Sequence, residues 1–130
     1  MKPSLKRIVA KKVSKPIGPY SHAVIAGGFA FISGQGPKDP ATGKFVTGGI
    51  KEHTRQAIRN VRTILEELDL DLSDVVKVNA YLRDMGDFQE FNEAYAEFFG
   101  AEPPARTTVQ AILPGKEMLV EIDSVAKTRE

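Results

Sequence analysis

No cysteine occurs among the 130 residues, which removes disulfides, thiol nucleophiles and thiolate metal sites together and suits a reducing compartment, the cytoplasm by default. Histidine is scarce too. His22 and His53 are the whole supply, and neither has a second histidine or a paired carboxylate at ligand spacing, so no metal site is expected. Charge of one sign does not dominate: 18 Lys and Arg against 17 Asp and Glu leave +1, too little to recruit nucleic acid or a membrane surface. Residues 1–15 are a local exception, with Lys2, Lys6, Arg7, Lys11, Lys12 and Lys15 and no acid. They lack interleaved aromatic residues, so they read as the wet face of a terminal strand rather than as an RNA footprint. Long apolar runs are missing as well. Ile8, Val9 and Ala10 between cations make no signal-peptide core, and no segment reads as a membrane span.

Two enzyme motifs fail on inspection. Gly34-Gln35-Gly36 begins like a dinucleotide fingerprint, but Asp39 stands where the third glycine belongs and a proline-bearing loop follows in place of a helix. Ser33 lacks the glycine-flanked strand-to-helix turn of a hydrolase nucleophile, and no histidine is placed to activate it.

What is present fits one compact domain, residues 1–130, with 42% apolar and 27% charged residues. Lys6 to Val13 is expected as a first strand. His22–Ala26 and Phe29–Ser33 flank Gly27-Gly28, a pair suited to a hairpin turn because both residues accept positive φ. A loop with Pro37, Pro40 and Gly43 follows, with a short strand near Phe45. Apolar residues from Ile50 to Leu68 recur every three or four positions and predict an amphipathic helix. Asp74–Arg83 alternates, with Val76, Val78, Ala80 and Leu82 on one face, and predicts a half-buried strand. Asp87 with Glu90 offers a capping box for a second helix that carries Phe88, Phe91, Tyr95, Phe98 and Phe99 and stops at Gly100. Thr107–Ile112 and Met118–Ala126 are the last strands. This order puts two helices on one face of a mixed α+β sheet. The apolar residues of the other face then need a cover, which a second copy of the chain supplies most simply.

Two charges sit oddly. Arg106 opens a strand after Pro103-Pro104, and Glu121 interrupts Met118-Leu119-Val120-Glu121-Ile122. A charge among apolar neighbours needs a partner or a task. One account is a structural ion pair, or an edge strand that turns Glu121 to solvent. The other is a carboxylate-binding guanidinium beside a carboxyl group that handles protons, since the planar fork of arginine takes a carboxylate bidentately. Tyr20 reads equally as a packed aromatic, Ser33 as a strand-end cap and Asn92 as a solvent-facing helix residue, while His22 and His53 read as structural.

Five segments in register, Ile17-Gly18-Pro19-Tyr20-Ser21, Phe31-Ile32-Ser33-Gly34-Gln35, Phe91-Asn92-Glu93-Ala94-Tyr95, Pro104-Ala105-Arg106-Thr107-Thr108-Val109 and Val120-Glu121-Ile122, resemble the RidA (YjgF) family of reactive intermediate deaminases over nearly the whole chain. The resemblance implies a chorismate-mutase-like fold, a homotrimer packed sheet to sheet, and three clefts between subunits. It further implies hydrolysis of 2-imino acids such as 2-iminobutanoate and 2-iminopropanoate to 2-keto acids and ammonia, without a cofactor. In that scheme Arg106 binds the substrate carboxylate, Glu121 activates or orients water, and Tyr20, Ser33, Gly34, Asn92 and Thr108 line or brace the pocket. Thr108 stands where many relatives carry cysteine, Gly36 where a bulkier residue is common, and His22 where glutamine is common. Two other activities ascribed to relatives, carboxylate binding by a regulatory trimer and RNA binding or cleavage, are the alternatives; near-neutral charge argues against the second.

Overall fold

The computed structural model describes residues 4–129, so Lys2 of the basic segment lies outside the described residues. Six strands form one sheet in the order β1-β2-β3-β6-β4-β5. They are β1 (Lys6–Ile8), β2 (Ala23–Ala26), β3 (Phe29–Gln35), β4 (Val75–Leu82), β5 (Ala105–Gln110) and β6 (Val120–Lys127). Helices α1 (Ile50–Glu67) and α2 (Phe88–Phe99) cover one face. All pairings are antiparallel except β4 with β5, which α2 connects as a parallel crossover.

The β2–β3 hairpin forms as expected, with Gly27 and Gly28 both at positive φ, 58° and 84°. Helix α1 buries Ala57, Ile58, Val61, Ile64 and Leu65 on the sheet and ends where Asp69 takes a φ of 59°. Its buried stripe also carries polar residues. Among them, Asn60 donates to the Gly36 and Lys38 carbonyls at 3.0 and 2.8 Å, which fixes the loop after β3.

Several expectations need correction. Strand β1 covers three residues rather than eight, because the Lys11 and Lys12 amides turn away to the Glu67 carboxylate. Near Phe45 there is a single bridge to Lys38 rather than a strand. Val76 is exposed and Val75 is buried in its place, because the β4–β6 register shifts between Val75 and Lys77. Asp87 makes no cap and the capping box with Glu90 is absent; a 3-10 turn, Met85–Asp87, precedes α2, and the Asp84 side chain caps that turn at Gly86. Strand β5 starts at Ala105 and stops at Gln110, which leaves Ile112 96% exposed. Strand β6 starts at Val120 because the Met118 amide closes a turn to Gly115 and the Met118 carbonyl is taken by Arg83.

Both histidines are structural fasteners. The His22 Nδ1 accepts from the Ala10 amide at 2.7 Å, and its Nε2 faces the Ser14 carbonyl at 2.9 Å. His53 joins two loops: Nε2 faces the Val46 carbonyl at 3.0 Å, and Nδ1 accepts from the Leu119 amide at 3.3 Å. Burial holds the His53 pKa below its ordinary 6.5. The unfolded chain therefore takes up this proton more readily, so the stabilisation is complete above the unfolded value and fades as the pH falls below it. The stability difference between the wild type and His53→Gln in urea melts should shrink between about pH 7.5 and about pH 5. A difference that does not change with pH would contradict this account.

Candidate functional site

The site residues expected from sequence fall into two groups, one on each side of the sheet. Strand pleating decides this. On β6, Val120 and Ile122 go into the core beneath the helices, so Glu121 and Asp123 go to the open face. On β5, Arg106 pairs with Val78, a core residue, and points to the helix side.

The first group surrounds Glu121. Between Ile32↔Ser124 and Gln35↔Ile122 the β3–β6 register slips, which places Ser33 and Gly34 opposite Asp123 alone. This bulge brings the backbone against the carboxylate. A β-carbon on Gly34 would lie 2.8 Å from Glu121 Oε2 and 2.9 Å from its Cδ, so any larger residue would force the carboxylate to turn aside. Ser33 donates its hydroxyl proton to the Ser21 carbonyl at 2.6 Å and braces the turn. The Tyr20 hydroxyl accepts from the Ile17 amide at 3.2 Å, and its ring is partly exposed over the cleft. Tyr20, Ser33, Gly34 and Glu121 thus share a cleft of about 550 Å³, with Ile17 and Asp123.

Burial raises the Glu121 pKa above the usual carboxylate value, and the negative charge of Asp123 adds to the effect. Asp123 is itself held by Asn79 Nδ2 at 2.9 Å and by the Tyr81 hydroxyl at 2.8 Å, both from β4. That hydrogen bond is the main reason the Tyr81 pKa is raised to about 12. The Asn79–Asp123–Tyr81 set was not singled out in the sequence, although the two-residue period puts 121 and 123 on one face.

The second group surrounds Arg106. Its guanidinium lies 4.6, 5.1 and 5.7 Å from the ring centres of Tyr95, Phe91 and Phe88, a cage that favours a cation. One nitrogen donates to Asn92 Oδ1 at 2.8 Å, so Asn92 orients the arginine instead of facing solvent. No carboxylate among the described residues forms a salt bridge with Arg106. Arg106 and Tyr95 line a depression of about 380 Å³. Thr108 follows on the same face of β5, its hydroxyl buried without a hydrogen-bond partner. Burial pushes the Tyr95 hydroxyl pKa up, against the pull of Arg106.

Both structural accounts of the two charges therefore fail. Arg106 and Glu121 are on opposite faces and form no ion pair, and β6 is an interior strand between β3 and β4. Among the described residues, no group of three His, Asp or Glu could hold a metal ion, and no helix is long and apolar enough to cross a membrane.

The sequence profile of the family described as Endoribonuclease L-PSP matches residues 10–128. The chain is 50% identical over 119 residues to a RutC family protein of Pyrococcus horikoshii, covering 92% of this chain and 94% of that one. It is 40% identical to the 2-iminobutanoate/2-iminopropanoate deaminase of Dermatophagoides farinae, covering 94% and 96%. Among solved structures, RidA from a Psychrobacter species superimposes with a TM-score of 0.87 at 36% identity, covering 94% of this chain and 98% of that one. Escherichia coli TdcF, solved with bound serine, gives 0.88 at 32% identity, covering 95% and 100%.

Replacing Asp123 by Asn should lower two pKa values at once. Glu121 should move down toward 4.5 and Tyr81 down from about 12 toward 10, read by carboxyl carbon NMR and by phenolate absorbance. A Glu121 titration that does not move would mean that Asp123 exerts no field on it.

Proposed function

This chain belongs to the endoribonuclease L-PSP family, in which RidA falls, and on that premise we propose that it hydrolyses small 2-imino acids to 2-keto acids and ammonia. One observation carries the reading: a partly buried, aromatic-caged Arg106 that meets no carboxylate among the described residues. A cation in that setting favours an anionic ligand, and its planar fork suits the carboxylate of a 2-imino acid. The deaminase name of the mite relative and the serine bound to TdcF agree with a small carboxylate.

No cofactor enters the scheme, because an imine carbon is already electrophilic. Arg106, steadied by Asn92, fixes the carboxylate and hence the position of the carbon. Water attacks that carbon, and its proton passes by way of Glu121 to the imine nitrogen, giving a carbinolamine. Transfer of the hydroxyl proton to nitrogen then expels ammonia and leaves the keto acid. A carboxyl group with a raised pKa suits both transfers.

Since Arg106 and Glu121 face opposite sides of the sheet, a centre that uses both draws them from two copies of the chain. The open face supplies the means of association. It exposes Phe29, Phe31 and Val109, and a face of this kind is stable when a second copy covers it. A homotrimer with three shared clefts is the arrangement we propose, and the cytoplasm is the location. A carboxylate-binding protein without turnover is the second reading, favoured by the serine in TdcF. Ribonuclease chemistry has less support, because both histidines are already engaged by backbone groups.

With imines generated in situ and semicarbazide as the competing trap, the wild type should release keto acid faster than the trap captures the imine. Arg106→Ala should lower kcat/KM by about ten- to a hundredfold for each charge-assisted hydrogen bond lost. Glu121→Gln should reduce kcat by about two to four orders of magnitude. Mixing the two inactive variants under subunit exchange should restore activity in about a quarter of the clefts. No activity beyond spontaneous hydrolysis in the wild type would reject the enzyme reading, and no recovery on mixing would reject the shared cleft.

A further inference from the structure

Behind Glu121 lies a second, smaller cavity of about 80 Å³, which shares Ile17, Tyr20, Gly34, Pro114 and Glu121 with the large cleft and continues to Gly36, Phe45 and Met118. Resting on the imine-hydrolase reading, we propose that this inner cavity receives the substrate side chain, and that Met118 packed on Gly36 sets the length of aliphatic chain it accepts.

The apolar part of the wall past Glu121 comes from Ile17, Phe45, Pro114 and Met118, and Ser14, Lys15, His22 and Lys38 line the cavity as well. Of its polar groups, the His22 ring is engaged by the Ala10 amide and the Ser14 carbonyl, and the Lys38 ammonium lies over the Phe45 ring. Asn60 is spent on the Gly36 and Lys38 carbonyls, and the Gln35 amide on the Ser33 and Gly34 carbonyls. An apolar substituent thus finds contacts there that a water molecule would not match. An apolar cavity of about 150 Å³ holds benzene. A space of about 80 Å³ therefore suits a chain of about two to four carbons and excludes an aromatic side chain.

The end wall is held in place from several sides. A β-carbon at position 36 would lie 2.5 Å from the Met118 methyl group, so the absence of a side chain at Gly36 lets Met118 lie back and leaves the cavity open. A β-carbon at Gly115 would meet the Phe45 ring at 2.8 Å and Met118 Cγ at 3.1 Å. Arg83 then clamps the segment, donating to the Met118 carbonyl at 2.6 Å and to the Gly115 carbonyl at 2.5 Å. The methionine side chain is the adjustable element of an otherwise fixed wall.

The test is a kcat/KM series on the full chain, with imines made by an amino-acid oxidase from alanine, 2-aminobutyrate, norvaline, leucine and phenylalanine. The wild type should gain about fourfold for each added methylene up to the aliphatic limit, and then fall sharply at phenylalanine. Met118→Ala should move the preference toward longer chains. Gly36→Ala, which drives the Met118 methyl into the cavity, should move it toward alanine. If both variants change every imine by the same factor, the cavity stores water or only supports the fold, and the inference is overturned. If the wild type hydrolyses the imines with no dependence on chain length, the inference fails while the deaminase reading stands. A wild type that hydrolyses none of them removes both.

Discussion

Strand β6 runs between β3 and β4, and its strict two-residue alternation assigns each of its side chains to one of two environments. Val120, Ile122, Ser124 and Ala126 go under the helices, and Glu121, Asp123 and Val125 to the open face. A slip of one residue against β4 would bury both carboxylates and expose the core, so the cost of misregister is far larger than any single contact. The helix packing, the charged cleft and the apolar open face all follow from that register. On the β3 side that register is relaxed at the Ser33–Gly34 bulge, and there the backbone meets Glu121.

The two halves of the site share a logic. Among the described residues, Arg106 is a cation given aromatic walls and an amide but no anion, and Glu121 is an acid given burial and a negative neighbour but no cation. Each carries a desolvation penalty without the compensation an ion pair would bring. Such uncompensated charges are tolerated where a ligand or a neighbouring subunit completes them. The rest of the cleft is rigid by comparison, because Asn60, Arg83 and His53 tie the loops around it to α1 and β4.

Much of this was legible in the sequence. The order of elements follows from periodicity, and the hairpin from Gly27-Gly28. Arg106 and Glu121 stood out as charges in strand contexts. What the sequence does not contain is register. The displacement of Val76 comes from a bulge set by pairing between residues about fifty apart in the chain, and the separation of Arg106 from Glu121 comes from which strand β5 lies beside. The capping role passed from Asp87 to Asp84 because a 3-10 turn precedes the helix, a difference of backbone geometry that both aspartates permit. Asn79, Tyr81 and Asp123 look like ordinary strand polarity until pairing puts them side by side.

The tight fit at Gly34 has a consequence for how this protein can diverge. Every amino acid other than glycine has a β-carbon, so any coding change at that position pushes on the Glu121 carboxylate, and the flexible end of that side chain has to turn away. A substitution at position 34 thus displaces the acid directly, whereas changes at Asp123 and at the β4 residues that hold it retune the acid where it stands.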